Sequence, residues 1–266
     1  MPTPQDLLRA ILVELDAIPL DNEPFNAQQI TFMLHIRKTT DALLTIFDPI
    51  PQSAYALQRI VPSMSDSLLQ QEVALFGYAR LLLEHPDSFD GAVVSEPYRA
   101  PLERIYQLGQ QLHRLTEKIH QEALVNRRQQ QTAPATRFNL TQLFADELPI
   151  LRYLLRDYPV QLTATIEALN VCFPKYHLIE FIQHIVLTLA HDFIEYGHIK
   201  ISTSDNSLII FCTGIQLTQT EIETLFKKQG RYIYPRRFER SGGNINFTRE
   251  QGHGASIVLQ FPELTC

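Results

Sequence analysis

From Gln5 the apolar residues Leu7, Leu8, Ile11, Leu12 and Leu15 recur three and four positions apart, the spacing of one helix face, and Pro19 and Pro24 bracket the exit. The same period predicts a second helix from Ala27 to Phe47, with Ile30, Met33, Leu34, Leu44 and Phe47 on its buried side, ending before Asp48-Pro49-Ile50-Pro51. A third runs from Ala56 or Ser63 to His85, with Leu68, Leu75, Ala79 and Leu82 as its seam. After a turn-like stretch, His85-Pro86-Asp87-Ser88-Phe89-Asp90-Gly91, the residues Ile105, Leu108, Leu112, Leu115 and Ile119 mark a long helix with a heptad seam. Two long helices joined by a short loop leave their stripes poorly covered, and pairing two copies into a four-helix bundle covers them. A homodimer is expected on that ground.

The segment Asn126 to Thr136, NRRQQQTAPAT, is polar without an apolar period and marks a linker and a domain boundary. Beyond it the pattern becomes mixed. A helix is predicted over Leu143 to Leu155, a strand over Val160 to Ile166 and a long helix over His177 to Tyr196. Two period-two runs follow, His198 to Ser202 and Ser207 to Cys212, then a helix from Gln219 to Lys228 and strands over Asn244 to Thr248 and Ala255 to Phe261. Helices would cover one face of a mixed sheet. The expected class is α+β: an N-terminal helical region over 1–55, a helical hairpin over 56–130 and an α/β domain over 137–266.

A length of 266 residues with 45% hydrophobic and 20% charged positions is that of a globular chain of one or two domains. A net charge of -6 supplies no basic field for phosphates, which disfavours nucleic acid as the partner. Three cysteines, Cys172, Cys212 and Cys266, without C-x-x-C spacing argue against a disulfide framework or a zinc site and fit a reducing cytoplasm. The N-terminal stretch carries Asp6 and Glu14 and lacks the build of a signal peptide, and no uncharged run approaches the roughly 20 residues of a membrane span.

The run from Gly242 to Pro262, GGNINFTREQGHGASIVLQFP, resembles the closing hairpin of a histidine-kinase ATPase domain, with its pattern of GG-x-I, a strand, G-x-G-[ST], a strand and LP. Ala190 and Phe193 followed by Gly197-His198-Ile199 resemble the end of the helix and first hairpin of that domain. Thr213-Gly214-Ile215 resembles its D-x-G-x-G turn, and Glu221 to Phe226 the short helix after it. Phe76 to Leu83 and Leu102 to Ile119 are similar to the two helices of the family's dimerisation and phosphoacceptor domain. The resemblance implies a dimerising hairpin followed by an α/β sandwich of the histidine-kinase ATPase type.

The residues that make such a domain work are changed. Aligned on Gly197, the two asparagines that hold Mg²⁺ and phosphate in the family fall on Ile185 and Leu189, which cannot ligate a hard cation. Aligned on Gly214, the adenine-reading aspartate falls on Cys212 and a close-approach glycine on Gln216. Only Gly230 stands between Phe226 and Gly242, where the family has a glycine-rich lid that wraps phosphates. Losing two or more charge-assisted contacts, each worth roughly 1.5–3 kcal/mol, weakens nucleotide binding by about 10²- to 10⁴-fold. The phosphoacceptor histidine maps onto Asp66, and His35, in His35-Ile36-Arg37-Lys38-Thr39-Thr40, is a weak substitute in another helix.

The resemblance thus implies a catalytically inactive, cytoplasmic histidine-kinase-like dimer with no cofactor and no metal. It would dock a response-regulator receiver domain or a partner histidine kinase on a surface around Asp66, Gln70 and Val73. The alternatives are an ATP-independent histidine phosphotransferase using His35 and an atypical active kinase. His177, His184, His191 and His198 repeat every seven residues, about 10.5 Å along a helix, which is too far apart for shared metal ligation; they read as a polar stripe with Glu180, Thr188 and Asp192. Arg236, Arg237 and Arg240 read as a solvated loop, with binding of a phosphorylated partner or an anion as the alternative, and Tyr232, Tyr234 and Phe238 are expected to pack that loop onto the sheet in place of a nucleotide.

Overall fold

Thr3 opens the first helix by reciprocal capping. Its hydroxyl accepts from the Asp6 N–H at 3.2 Å and the Asp6 carboxylate accepts from the Thr3 N–H at 2.9 Å, so that α1 runs Pro4–Asp16. Asn26 and Gln29 repeat the device at the start of α2, Ala27–Phe47. The computed structural model describes residues 2–18, 25–51, 53–85, 94, 96–131, 134–192, 194, 196–214, 233–250 and 254–263. The chain divides into two compact units, Met1–Val125 and Asn126–Cys266.

In the first unit α3 (Ala54–Ile60) passes into a 3₁₀ turn, Val61–Met64, before α4 (Ser65–Glu84), and α5 spans Glu96–Gln131. The break falls at Pro62, where the chain lacks a backbone donor. α2 buries Gln29, Met33, Ile36, Thr40, Leu43 and Phe47, whereas Leu34, expected inside, is 49% exposed. Thr40 can sit in this seam because its hydroxyl is satisfied by the Ile36 carbonyl at 2.8 Å. α5 is rotated in the same way. Gly109 and Thr116 are buried while Leu108 and Leu115 are only half-buried. A Cβ on Gly109 would lie 2.8 Å from Leu75 Cδ2 and 2.9 Å from Phe76 Cβ, so the missing side chain is what lets α4 approach there.

α2 packs against both α1 and α4. α4 meets α5 at Gly109 and through the Phe76 and Tyr106 rings, 6.5 Å apart, and α1 reaches α5 through Glu14 and Arg104 at 2.8 Å. Four helices cover one another's seams inside a single chain. The sequence argument for a homodimer rested on stripes left open by the hairpin, and that reason disappears. Among the described residues no helix is long and apolar enough to cross a membrane.

In the second unit the stretch read as a linker from Asn126 begins as helix, since α5 continues to Gln131. Arg and Gln are good helix formers even where no apolar face marks the turns. β1 (Thr136–Asn139) then pairs antiparallel with β3 (Asn170–Phe173), two four-residue strands that alternation did not announce. The main sheet has the order β2 (Val160–Thr165), β4 (Gly197–Ser204), β5 (Ser207–Cys212), β7 (Gly254–Gln260), β6 (Asn244–Glu250). β2 and β4 run parallel and the other neighbours antiparallel.

One face of this sheet is buried. Ile199 and Ile201 of β4, Leu208, Ile210 and Cys212 of β5, and Ala255, Ile257 and Leu259 of β7 alternate onto it. They share a core with α6 (Leu140–Leu154), α7 (Lys175–Asp192) and α8 (Ile233–Arg240). The α+β class, with helices on one face of a mixed sheet, is the one read from the pattern. Among the described residues Cys212 is a free, buried thiol. The expected helix from Gln219 to Lys228 lies outside the described residues, as do Phe193, Gln216, Gly230 and Tyr232.

Candidate functional site

α4 places Asp66, Gln70 and Val73 at i, i+4 and i+7, on one exposed face of the helix. Val73 is 46% exposed and its neighbour Leu69 is 48% exposed. On α2, His35 is also exposed. Its Nδ1 lies 2.7 Å from the Thr31 carbonyl oxygen, so Nδ1 carries the proton and donates it, and Nε2 keeps the lone pair in the neutral ring. The ring leans on Tyr78 of α4 at 5.5 Å.

Behind the α4 face lies a polar group that the spacing did not single out. Glu72 occupies a seam position, four after Leu68 and three before Leu75, and is 2% exposed. Its Oε2 accepts from the Thr116 hydroxyl at 2.9 Å and faces His113 Nδ1 at 3.0 Å. Burial pushes the Glu72 carboxyl up, and the bonds from Thr116 and His113 oppose that without cancelling it. A glutamate at the heptad position of a leucine was the visible sign.

In the second unit, Ile185, Leu189 and Cys212 converge in the core with exposures of 0%, 1% and 0%. Ile185 and Leu189 are one turn apart on α7, and Cys212 ends β5, paired with Ile199 on one side and Ala255 on the other. The Cys212 thiol donates to the Ala255 carbonyl at 3.2 Å. Burial pushes this thiol up to about 12, so it stays protonated and offers no thiolate. Gly254 presses on the Cys212 carbonyl with a φ of 123°, a conformation open to glycine, and a side chain there would strike it.

The arginine-rich stretch is helical and not a solvated loop. α8 is held to α7 at three points. Phe238 is 1% exposed and sits 5.6 Å from the Phe181 ring. Tyr234 stacks on His184 at 4.7 Å. Arg237 Nη1 lies 3.5 Å from Glu180, whose other oxygen accepts from Arg127 at 3.1 Å. Of the polar stripe, Glu180 and Thr188 are buried, His191 meets Tyr158 at 6.2 Å and His198 lies 2.7 Å from the Thr163 hydroxyl. Among the described residues no three His, Cys, Asp or Glu side chains are placed to hold a metal ion.

No family model and no curated protein matches the chain. Among solved structures it is similar to the mycobacterial sensor histidine kinase MprB at 16% identity, covering 48% of this chain and 97% of that one with a TM-score of 0.41. It is similar to the ATP-binding domain of PrrB from Mycobacterium tuberculosis at 14% identity, covering 50% and 100% with a TM-score of 0.42. The Acinetobacter baumannii histidine kinase AdeS is similar at 14% identity, covering 73% of this chain and 95% of that one with a TM-score of 0.41.

Proposed function

We propose that this chain is a histidine-kinase-like protein of two-component signalling that has given up nucleotide chemistry and works by docking a receiver domain or an active kinase. The observation that carries the reading is the burial of Ile185, Leu189 and Cys212 in one apolar core, at the positions where the resemblance puts the donors for magnesium, phosphate and adenine. Hydrocarbon side chains and a protonated thiol supply no oxygen to a hard cation and no acceptor to a purine amine. Support also comes from α8, whose Tyr234 and Phe238 pack inward over the stretch in which the resemblance sets a phosphate-wrapping lid.

Two measurements test the two halves of this reading. Calorimetric titration with Mg-ATP should give no saturable heat up to millimolar nucleotide, and a micromolar dissociation constant would sink the loss of nucleotide binding. For docking, Gln70→Arg and Val73→Glu should abolish capture of a receiver domain or kinase while leaving the circular dichroism spectrum unchanged, because both side chains are exposed. Unchanged capture would remove α4 as the docking face.

His35 favours a second reading, a phosphotransferase, because it is exposed and its Nδ1–H is already engaged, leaving Nε2 as the nucleophile. Incubation with a phosphorylated receiver domain decides between them: label on the wild type that is absent from His35→Ala selects transfer over docking alone.

A further inference from the structure

Among the described residues of the first unit, Glu72 is the one buried acid, set in a seam between Leu68 and Leu75. Its Oε2 faces two groups that can each reverse a hydrogen bond. The Thr116 hydroxyl, 2.9 Å away, also lies 3.2 Å from the Leu112 carbonyl and 3.0 Å from the His113 carbonyl. It donates to a carboxylate, or turns its proton to the backbone and accepts from a carboxylic acid. His113 Nδ1, 3.0 Å away, donates in one tautomer and accepts in the other. Its ring leans on Phe76 of α4 at 5.7 Å, which holds it against the seam. Both protonation states of Glu72 therefore find partners for Oε2.

The two states differ in charge. Oε1 is buried with no hydrogen-bond partner, so an ionised Glu72 holds part of its charge on an oxygen without a donor. A carboxylic acid leaves a neutral carbonyl oxygen at that place, a smaller burden. Little surrounds the group to balance an anion. From α5, His113 is in contact, and Glu117 and His120 line the adjoining cleft together with Asp66 of α4 itself. The 3₁₀ turn Val61–Met64 carries no titratable side chain. On α2, which also packs against α4, His35, Lys38 and Asp41 are exposed and Arg37 pairs with Asp16, so none of them serves the seam. A protonated His113 offsets the charge, and rising pH removes that offset.

We infer that Glu72 makes the α4–α5 seam a proton-operated latch: with the carboxyl protonated the helices meet across a neutral seam, and its ionisation sets a charge there that loosens α4 from α5. The latch works whether or not α4 docks a partner. Burial holds the carboxyl above the ordinary carboxylate range, with the bonds from Thr116 and His113 acting against it. Between the ordinary and the raised value the folded unit keeps a proton that the unfolded chain has released. Stability therefore falls as pH rises through that window, and it levels off above the window.

Hydrogen exchange of the Leu75 and Leu112 amides in the full chain reads the opening of the two helices. Opening constants of wild type divided by those of Glu72→Gln at the same pH should rise between about pH 4.5 and 8.5, by up to about tenfold per pH unit, the limit for one linked proton. The β5 and β7 amides of the second unit should show no such rise. Glu72→Leu, which carries the apolar seam through, should serve as a reference in the same way as Glu72→Gln. Glu117→Gln, at an exposed acid beside the cleft, should keep the wild-type rise. A flat or falling ratio, a rise of equal size in the second unit, or loss of the rise in Glu117→Gln would overturn the latch. If Glu72→Gln fails to fold by circular dichroism, the ratio to Glu72→Leu decides, and a flat one overturns it just the same.

Discussion

Phe238→Ala is expected to cost the second unit about 3–5 kcal/mol, the range for emptying a fully buried aromatic site. The ring is 1% exposed and lies 4.8 Å from Phe173, 5.6 Å from Phe181 and 5.9 Å from Phe261, so truncation removes contacts to three neighbours at once. It also rests on the bare backbone of Gly243, where any side chain would collide with it and from which no side chain can fill the hole. The site therefore collapses poorly, which places the cost toward the upper end. Hydrogen exchange of the β5 and β7 amides reads this unit separately from the helical one, which avoids treating two units as a single transition. Phe238→Leu, which keeps most of the volume, should recover all but about 1.5 kcal/mol. A loss below about 1 kcal/mol for the alanine variant would mean that α8 is not anchored by this ring.

The anchoring matters because α7 serves both the core and α8. Its inward face gives Ile185 and Leu189 to the sheet, and a neighbouring face offers Glu180 to Arg127 and Arg237 and His184 to Tyr234. Hydrophobic packing and a nearly buried ion pair thus hold the same short helix. An acid 7% exposed between two arginines is stabilising only while both partners stay, since removal of either leaves part of its charge uncompensated. α8 is in this way a built part of the second unit.

Much of this was legible from spacing alone. The bounds of α2 and β5 follow the sequence reading residue for residue, and β2, β4, β6 and β7 overlap the strands expected there. The four-residue strands β1 and β3 were missed because so short a run carries too few alternations to stand out from a polar segment. The seams of α2 and α5 came out rotated for a shared reason. Thr40, Gly109 and Thr116 are not apolar by type, yet each suits the interior, two by bonding a hydroxyl locally or to Glu72 and one by having no side chain. Glu72 was overlooked by the same rule, which assigns every acid to the solvent face. In the second unit Ile185, Leu189 and Cys212 stand out only through the resemblance, because an apolar residue in a helix or strand looks like ordinary core.

Cys212→Asp restores the acid that the resemblance places at the end of β5, and it is expected to unsettle the fold without recovering a nucleotide site. The position is 0% exposed, hemmed in by Ile199 and Ala255, with Gly254 pressed against its own carbonyl. The native thiol donates to the Ala255 carbonyl, whereas an ionised carboxylate can only accept, so the one polar contact turns repulsive. Burial raises the folded pKa of the introduced acid, by about 3 units for a group this enclosed, which amounts to ~4 kcal/mol at pH 7. The native state then binds more protons than the unfolded chain between the unfolded pKa near ~4 and the raised folded value, so stability falls as pH rises through that window and levels off above it. Urea unfolding of the variant should give its highest midpoint near pH 4 to 5 relative to wild type and a progressively lower one toward pH 8. Cys212→Ser, which keeps a donor for Ala255, should show no such slope. On the proposed reading neither variant gains nucleotide affinity, because Ile185 and Leu189 still present hydrocarbon where the resemblance puts the oxygen donors for magnesium and phosphate. A Cys212→Asp protein that folds as well as wild type at pH 8 and binds Mg-ATP would show that the pocket survives intact beneath a single exchanged residue, and the proposed loss of nucleotide chemistry would reduce to that one residue.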